Sequence, residues 1–134
     1  MKGNGYVFGA YIHCAWPAAD AKDTTVGDPT GKSFLFSLVN RTGKAVRFSL
    51  RDKDRAIQLA GGISFGAHLY DGKASYPNFV LMLKGQAVDQ KDANGANNPE
   101  NGTPYQPDDG QVCDATFLAG QQYFAAAEIE VYQL

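Results

Sequence analysis

The chain has 134 residues, of which 44% are hydrophobic, and it carries a formal net charge of −2 at pH 7. This length predicts a single domain over residues 1–134 with a hydrophobic core of its own. The charge balance excludes the basic surface that nucleic-acid-binding proteins use, and no apolar run is long enough to insert into a membrane.

The cysteine content and the first residues predict the cellular compartment. The chain has two cysteines, Cys14 and Cys113, which are too few for a disulfide framework. The first residues lack the long apolar stretch of a secretory signal. We therefore expect an intracellular, cytoplasmic protein with reduced thiols.

In chain order, the first elements are a strand and a loop. Residues 6–13 alternate with apolar side chains on both sides, and Trp16 and Pro17 end the strand. Residues 18–30 are polar and contain a proline, which predicts a connecting loop.

The stretch from Lys32 to Asn40 organises the chain. Phe34, Phe36 and Leu38 share one parity, and the other parity is also largely apolar. A run that is apolar on both faces predicts a central strand covered on both sides. Residues 45–50 then return as its antiparallel partner after a short turn.

The second half of the chain predicts further short strands and one long loop. A short strand at Ile57 and Leu59 precedes an alternating run at residues 63–71. Residues 79–83 fit either a strand or a helical turn. Residues 85–111 are rich in Asn, Asp, Gly and Pro, which predicts a long polar surface loop. Residues 122–134 end in a final strand that carries two glutamates on one face.

Six to eight short strands, turn signals between them and no amphipathic pattern of helical length predict a mainly β fold. We expect an antiparallel two-sheet β-sandwich with little helix.

Motifs for metal and phosphate binding are incomplete. Residues 27–33 have three residues between their glycines where a phosphate-binding loop needs four, and a strand follows where that loop needs a helix. Residues 90–101 lack the first carboxylate and the final glutamate of a calcium-binding EF-hand loop. His13 and His68 have no further ligands at zinc spacing. The sequence therefore predicts no metal site and no cofactor.

Candidate catalytic groups are equally sparse. Glu128 and Glu130 resemble a carboxylate pair for acid–base chemistry, but two positions apart on a strand they suit a solvated face. Cys113 is a candidate redox thiol, although the neighbouring Asp114 should raise its pKa and reduce its thiolate character. We expect the protein not to be an enzyme.

Several motifs, weak one by one, recur in a specific order along the chain. The first part has a Gly5-to-Tyr11 strand that leads to Trp16, and a strand at residues 33–38. The middle has paired glycines followed by Phe65, Gly66 and Asp71. The end has Cys113, Thr116, Phe117, Phe124, Glu128, Ile129, Glu130, Val131 and Tyr132.

This series resembles the TLDc domain of the oxidation-resistance protein family, without that family's opening part. The resemblance implies a TLDc-like sandwich that is not an established enzyme, that protects against oxidative stress and that binds and regulates the vacuolar-type proton ATPase. It also implies that Glu128 and Glu130, in the closing motif, contact a partner.

The absent opening part predicts an uncovered sheet edge or apolar patch, closed by a partner or by self-association with a second copy. An alternative function is a lectin-like sandwich that uses the Asn- and Asp-rich loop to bind a ligand with calcium.

Overall fold

The computed structural model of the chain describes residues 5–16, 18, 24–59, 63–66, 69–70, 73–74, 81–83, 93–94, 104–110, 116–121, 123–124 and 130–132. Within these ranges every regular element is a strand, and there is no helix. The strands are β1 (Val7–Tyr11), β2 (Thr24–Val26), β3 (Phe34–Val39), β4 (Val46–Leu50), β5 (Ile57–Leu59), β6 (Ile63–Phe65), β7 (Leu69–Tyr70), β8 (Lys73–Ala74), β9 (Leu81–Leu83), β10 (Ala93–Asn94), β11 (Tyr105–Pro107) and β12 (Tyr123–Phe124).

Two four-stranded antiparallel sheets form the frame. The first sheet has the order β1-β3-β4-β11, and the second has the order β2-β5-β6-β9. Two further pairs, β7-β8 and β10-β12, are two-stranded. The all-β, antiparallel two-sheet prediction is therefore confirmed. So is the interior position of β3, which pairs with β1 on one side and β4 on the other.

The turn between β3 and β4 forms because one side chain satisfies its backbone. The Asn40 Oδ1 atom accepts hydrogen bonds from the backbone N and the hydroxyl of Thr42 at 2.9 and 2.6 Å. Its amide nitrogen donates to Ser37 Oγ at 3.0 Å and to the Lys44 carbonyl at 2.9 Å. Gly43 has a φ of 71°, which favours glycine. The predicted hairpin is confirmed.

The inner faces of the two sheets share one hydrophobic core. In the first sheet the alternation of β4 buries Val46, Phe48 and Leu50, while Arg47 between them is exposed. The second sheet contributes Ile57 and Phe65. The other members of this cluster are Leu35, Ala56, Tyr105, Phe117, Leu118 and Phe124.

Two segments predicted as loops contain strands. Strand β2 lies within residues 18–30 and pairs with β5. Strands β10 and β11 lie within residues 85–111, so the expectation of a surface loop is wrong at these positions. Tyr105 is fully buried, and its hydroxyl donates to the Ala56 carbonyl at 3.0 Å. Strands of two or three residues are too short to show periodicity within a polar segment.

The closing segment also differs from its prediction. Residues 130–132, the described end of the predicted final strand, are not in a strand. Val131 and Tyr132 are 85% and 75% exposed. Alternating polarity specifies the faces of a strand but does not supply the neighbouring backbone with which the strand must pair.

The expectation that the central strand is covered on both sides is wrong as well. Leu35 and Ser37 are fully buried, but Phe34 and Phe36 are only partly buried and Leu38 is 54% exposed. Because the run is apolar on both faces, its composition could not distinguish a sheet covered twice from a sheet with one open apolar face.

Candidate functional site

The side of the first sheet that points away from the core is the candidate site. We call it the outer face, formed by Tyr11, Phe34, Phe36, Leu38, Arg47 and Ser49. Strand pairing places these side chains together, since Phe34 lies opposite both Tyr11 and Ser49, and Phe36 lies opposite Arg47. None of the six is buried. A solvated sheet face is usually polar, so three partly exposed aromatic rings distinguish this face from an ordinary solvated one.

The aromatic rings of the outer face pack in a row. The Tyr11 and Phe34 rings stack with centroids 5.2 Å apart, and the centroids of the Phe34 and Phe36 rings are 6.3 Å apart. The Arg47 guanidinium lies 4.2 Å from the Phe34 centroid, within the range of a cation–π contact. Gly9 makes room for Phe36, because a Cβ at Gly9 would lie 2.7 Å from Phe36 Cζ. The rings and Arg47 are therefore in contact along the row.

A pair of arginines forms one rim of the outer face. Asp108, in the turn after β11, lies 3.7 Å from both Arg47 Nε and Arg51 Nη2. All three side chains are roughly half exposed, so water screens these pairs and each contributes little to stability. Two arginines thus share the Asp108 carboxylate, and the exposed Asp109 follows Asp108 in the same turn.

The one described histidine, His13, is not part of a metal-binding cluster of described residues. His13 is exposed at the end of the aromatic row, where its Nδ1 lies 3.3 Å from the Tyr11 hydroxyl. His68 lies outside the described residues. No group of three or more His, Cys, Asp or Glu side chains that could hold a metal ion occurs in the described part of the chain.

Residues 27–33, which lack the spacing of a phosphate-binding loop, form a tight loop before β3 that is held by the buried Asp28 side chain. Asp28 is fully buried. One of its carboxylate oxygens accepts from the backbone N and hydroxyl of Thr30 at 3.0 and 2.5 Å, and the other accepts from the backbone N and hydroxyl of Ser33, both at 2.7 Å. Burial alone would raise the pKa of Asp28, but these four hydrogen bonds favour the carboxylate and hold the pKa well below its usual range. The carboxylate is fully occupied by its own loop.

The described thiol is poorly suited to redox chemistry. Cys14 is free and partly buried against the core. Burial and the negative charge of Asp28 raise the pKa of the Cys14 thiol. Burial, together with the nearby Cys14 and Asp28, raises the pKa of the Tyr105 hydroxyl. A thiol with a raised pKa has little of the reactive thiolate near neutral pH.

Only some of the candidate residues from the sequence lie in the described part of the structure. Glu130 is exposed, and its carboxylate accepts a hydrogen bond from the Tyr132 hydroxyl. Glu128 and Cys113 lie outside the described residues, as does all of the candidate calcium loop except Ala93 and Asn94.

The outer face was missed as a site although its residues were identified. Its signal is the apolar run at residues 34–38, which is compatible with a second buried face as well as with a binding surface. The participation of Arg47 and Asp108 depends on strand register, which the sequence pattern does not specify.

These features define an antiparallel β-sandwich whose first sheet has an outer face that carries aromatic rings beside arginines. No described helix is both long and apolar enough to span a membrane. The family model of the TLDc domain matches residues 1–134, and the chain therefore belongs to the TLDc family, for which a role related to oxidative stress is the family expectation. Neither the curated proteins nor the solved structures contain a match to the chain.

Proposed function

We propose that this chain is a non-catalytic protein-interaction domain that supports oxidative-stress resistance by binding peripheral subunits of the vacuolar-type proton ATPase. Membership of the TLDc family supports the link to oxidative stress. By the resemblance described above, the ATPase is the partner and the cytoplasm is the place of contact. The outer face is the observation that carries the proposal of an interaction domain.

The outer face supports a binding role because its composition suits contact with protein. Aromatic residues and arginine are enriched in the centres of protein interfaces, where they contribute most of the binding energy. Tyr11, Phe34, Phe36 and Arg47 are those residue types, and they are held in one row by strand pairing and stacking. Preorganised side chains lose little entropy on binding.

A capture experiment with purified components tests this function. The tagged chain is immobilised and exposed to purified peripheral subunits of the proton ATPase, and an unrelated β-sandwich of similar charge serves as the control. We expect retention of the ATPase subunits on the TLDc chain alone. Equal retention on both proteins, or on neither, contradicts the proposal.

A cellular assay tests the link to stress. Cells that lack their own TLDc protein are complemented with this chain and challenged with peroxide. We expect improved survival with the wild-type chain and with a variant in which both cysteines are replaced, Cys14→Ser with Cys113→Ser, because the role is binding rather than thiol chemistry. Loss of protection in this double variant, with folding intact, contradicts a thiol-independent role.

A further inference from the structure

We propose that the outer face and its arginine rim bind an acidic segment of a partner protein in which glutamate or aspartate side chains lie beside aliphatic ones. This inference rests on the proposed interaction function and specifies its surface and the chemistry of the partner. The geometry joins an apolar half, carried by β1 and β3, to a cationic half, carried by β4 and the turn after β11.

The apolar half of the surface needs apolar partner side chains. Tyr11, Phe34 and Phe36 are partly buried by one another, and Leu38 is 54% exposed at the end of the same row. Removing this carbon surface from water favours association. Aliphatic side chains fit a row of aromatic rings because they need no hydrogen-bond partners.

The cationic half needs an anion. Asp108 lies 3.7 Å from both Arg47 and Arg51, which is longer than the 2.7–2.9 Å of a charge-assisted hydrogen bond. Each guanidinium thus retains donors that a partner carboxylate can use in a closer, two-pronged contact.

The two halves are close enough for one short segment to use both. The Arg47 guanidinium lies 4.2 Å from the Phe34 ring centroid. A carboxylate that pairs with Arg47 therefore brings the neighbouring side chains of its own segment over Phe34 and Phe36. Carboxylate and aliphatic side chains that share one face of a strand or helix meet this requirement.

Charge also distinguishes the partner from a second copy of this chain. The outer face of a second copy would bring the same aromatic row and another arginine, and none of its six residues is a carboxylate that could pair with Arg47 and Arg51. An acidic segment has the complementary charge. The occupant that the charges favour is therefore a different protein.

Peptide binding to the folded chain tests the proposal. We would measure fluorescence anisotropy with a labelled peptide of alternating glutamate and leucine, one of alternating lysine and leucine, and one of alternating glutamate and serine, all of equal length. We expect the glutamate–leucine peptide to bind, and the other two to bind at least about tenfold more weakly, since each lacks one of the two complementary features. Equal binding of all three overturns the proposal, as does no binding of the glutamate–leucine peptide.

Matched charge reversals locate the site. Arg47→Glu should weaken binding of the glutamate–leucine peptide about tenfold or more. Lys44→Glu, which makes the same charge change in the β3–β4 turn, should change binding less than about twofold. Arg51→Glu, beyond the end of β4, provides a second rim variant should Arg47→Glu fail to fold. Equal effects of the rim and turn variants overturn the proposed surface.

The same variants separate this inference from the proposed function. ATPase subunits that are captured equally by wild type and Arg47→Glu would support the function and overturn the surface. Peptide binding that depends on Arg47, without capture of the ATPase, would support the surface and overturn the choice of partner. A dimer in light scattering that Arg47→Glu dissociates would identify a second copy as the occupant and overturn the acidic segment.

Discussion

The two faces of the first sheet are built from similar residues but have different surroundings. On the inner face, Leu35 and Phe48 lie opposite each other and are fully buried. On the outer face, Phe34 lies one position away on the same strand and remains partly exposed beside Arg47. An apolar side chain in a strand therefore shows that its face of the sheet favours contact with apolar groups. It does not show whether those groups belong to the same chain or to a partner.

The comparison predicts that the inner face determines stability and the outer face determines binding. Burial against the second sheet gives each inner side chain contacts within the chain. Among the described residues, the outer rings contact one another and Arg47. Substitutions that separate stability from binding therefore test the division between the two faces.

The largest expected effect is the removal of an inner aromatic ring. Phe48→Ala should lower the free energy of unfolding by about 3–5 kcal/mol, because Phe48 is fully buried and packs edge-on to Phe117 with centroids 6.0 Å apart. Phe34→Ala, the matched outer variant, should cost only about 1 kcal/mol. Urea unfolding of the three proteins measures both values. Equal losses would show that the outer face is also packed by its own chain.

The next largest effect is expected at the buried corner that leads into β3. Asp28→Asn should destabilise the protein by about 2–3 kcal/mol near neutral pH, because an amide cannot accept all four hydrogen bonds from Thr30 and Ser33. Asp54→Asn, at an exposed turn position, is the control and should have little effect.

The pH dependence of this effect follows from the lowered pKa of Asp28. The folded pKa lies below that of an unfolded aspartate, about 3.9, so the stabilisation is fully present above about pH 4 and is lost as the pH falls towards the folded pKa. The stability difference between wild type and Asp28→Asn should therefore narrow between about pH 7 and about pH 2. A difference that stays constant would mean that the Asp28 carboxylate is not specifically stabilised.

A smaller effect is expected on β11, where inner and outer side chains are sequence neighbours. Tyr105→Phe removes the hydrogen bond to the Ala56 carbonyl and should cost about 1 kcal/mol, because that acceptor lies in the core. Gln106→Ala, on the outer side of the same strand, should change stability by less than about 0.5 kcal/mol. Thermal unfolding of both variants measures the two losses of stability. A larger loss in Gln106→Ala than in Tyr105→Phe would contradict this prediction.

The sequence predicts most of the first sheet and little of the site. Long alternating or doubly apolar runs identify β1, β3 and β4, and the turn residues at 40–43 identify the hairpin. The burial of Tyr105 was not predictable from composition, because it depends on pairing with Leu50, which lies 55 residues earlier in the chain. The outer face was predictable as an apolar strand surface, but its charged rim depends on the register between β4 and β11.

A very small effect on stability is expected at Arg47. Its substitution most clearly separates the role of the outer face in binding from the role of the inner face in stability. Arg47→Ala removes a screened ion pair with Asp108 and a partly exposed contact with Phe34, so the free energy of unfolding should change by less than about 0.5 kcal/mol. The same variant should weaken binding of the glutamate–leucine peptide about tenfold, because it removes the guanidinium beside the aromatic row. Urea unfolding and peptide anisotropy on one preparation measure both quantities. A loss of stability comparable to that of Phe48→Ala would make Arg47 a structural residue, whereas a loss of binding at unchanged stability would show that the outer face is maintained for a partner.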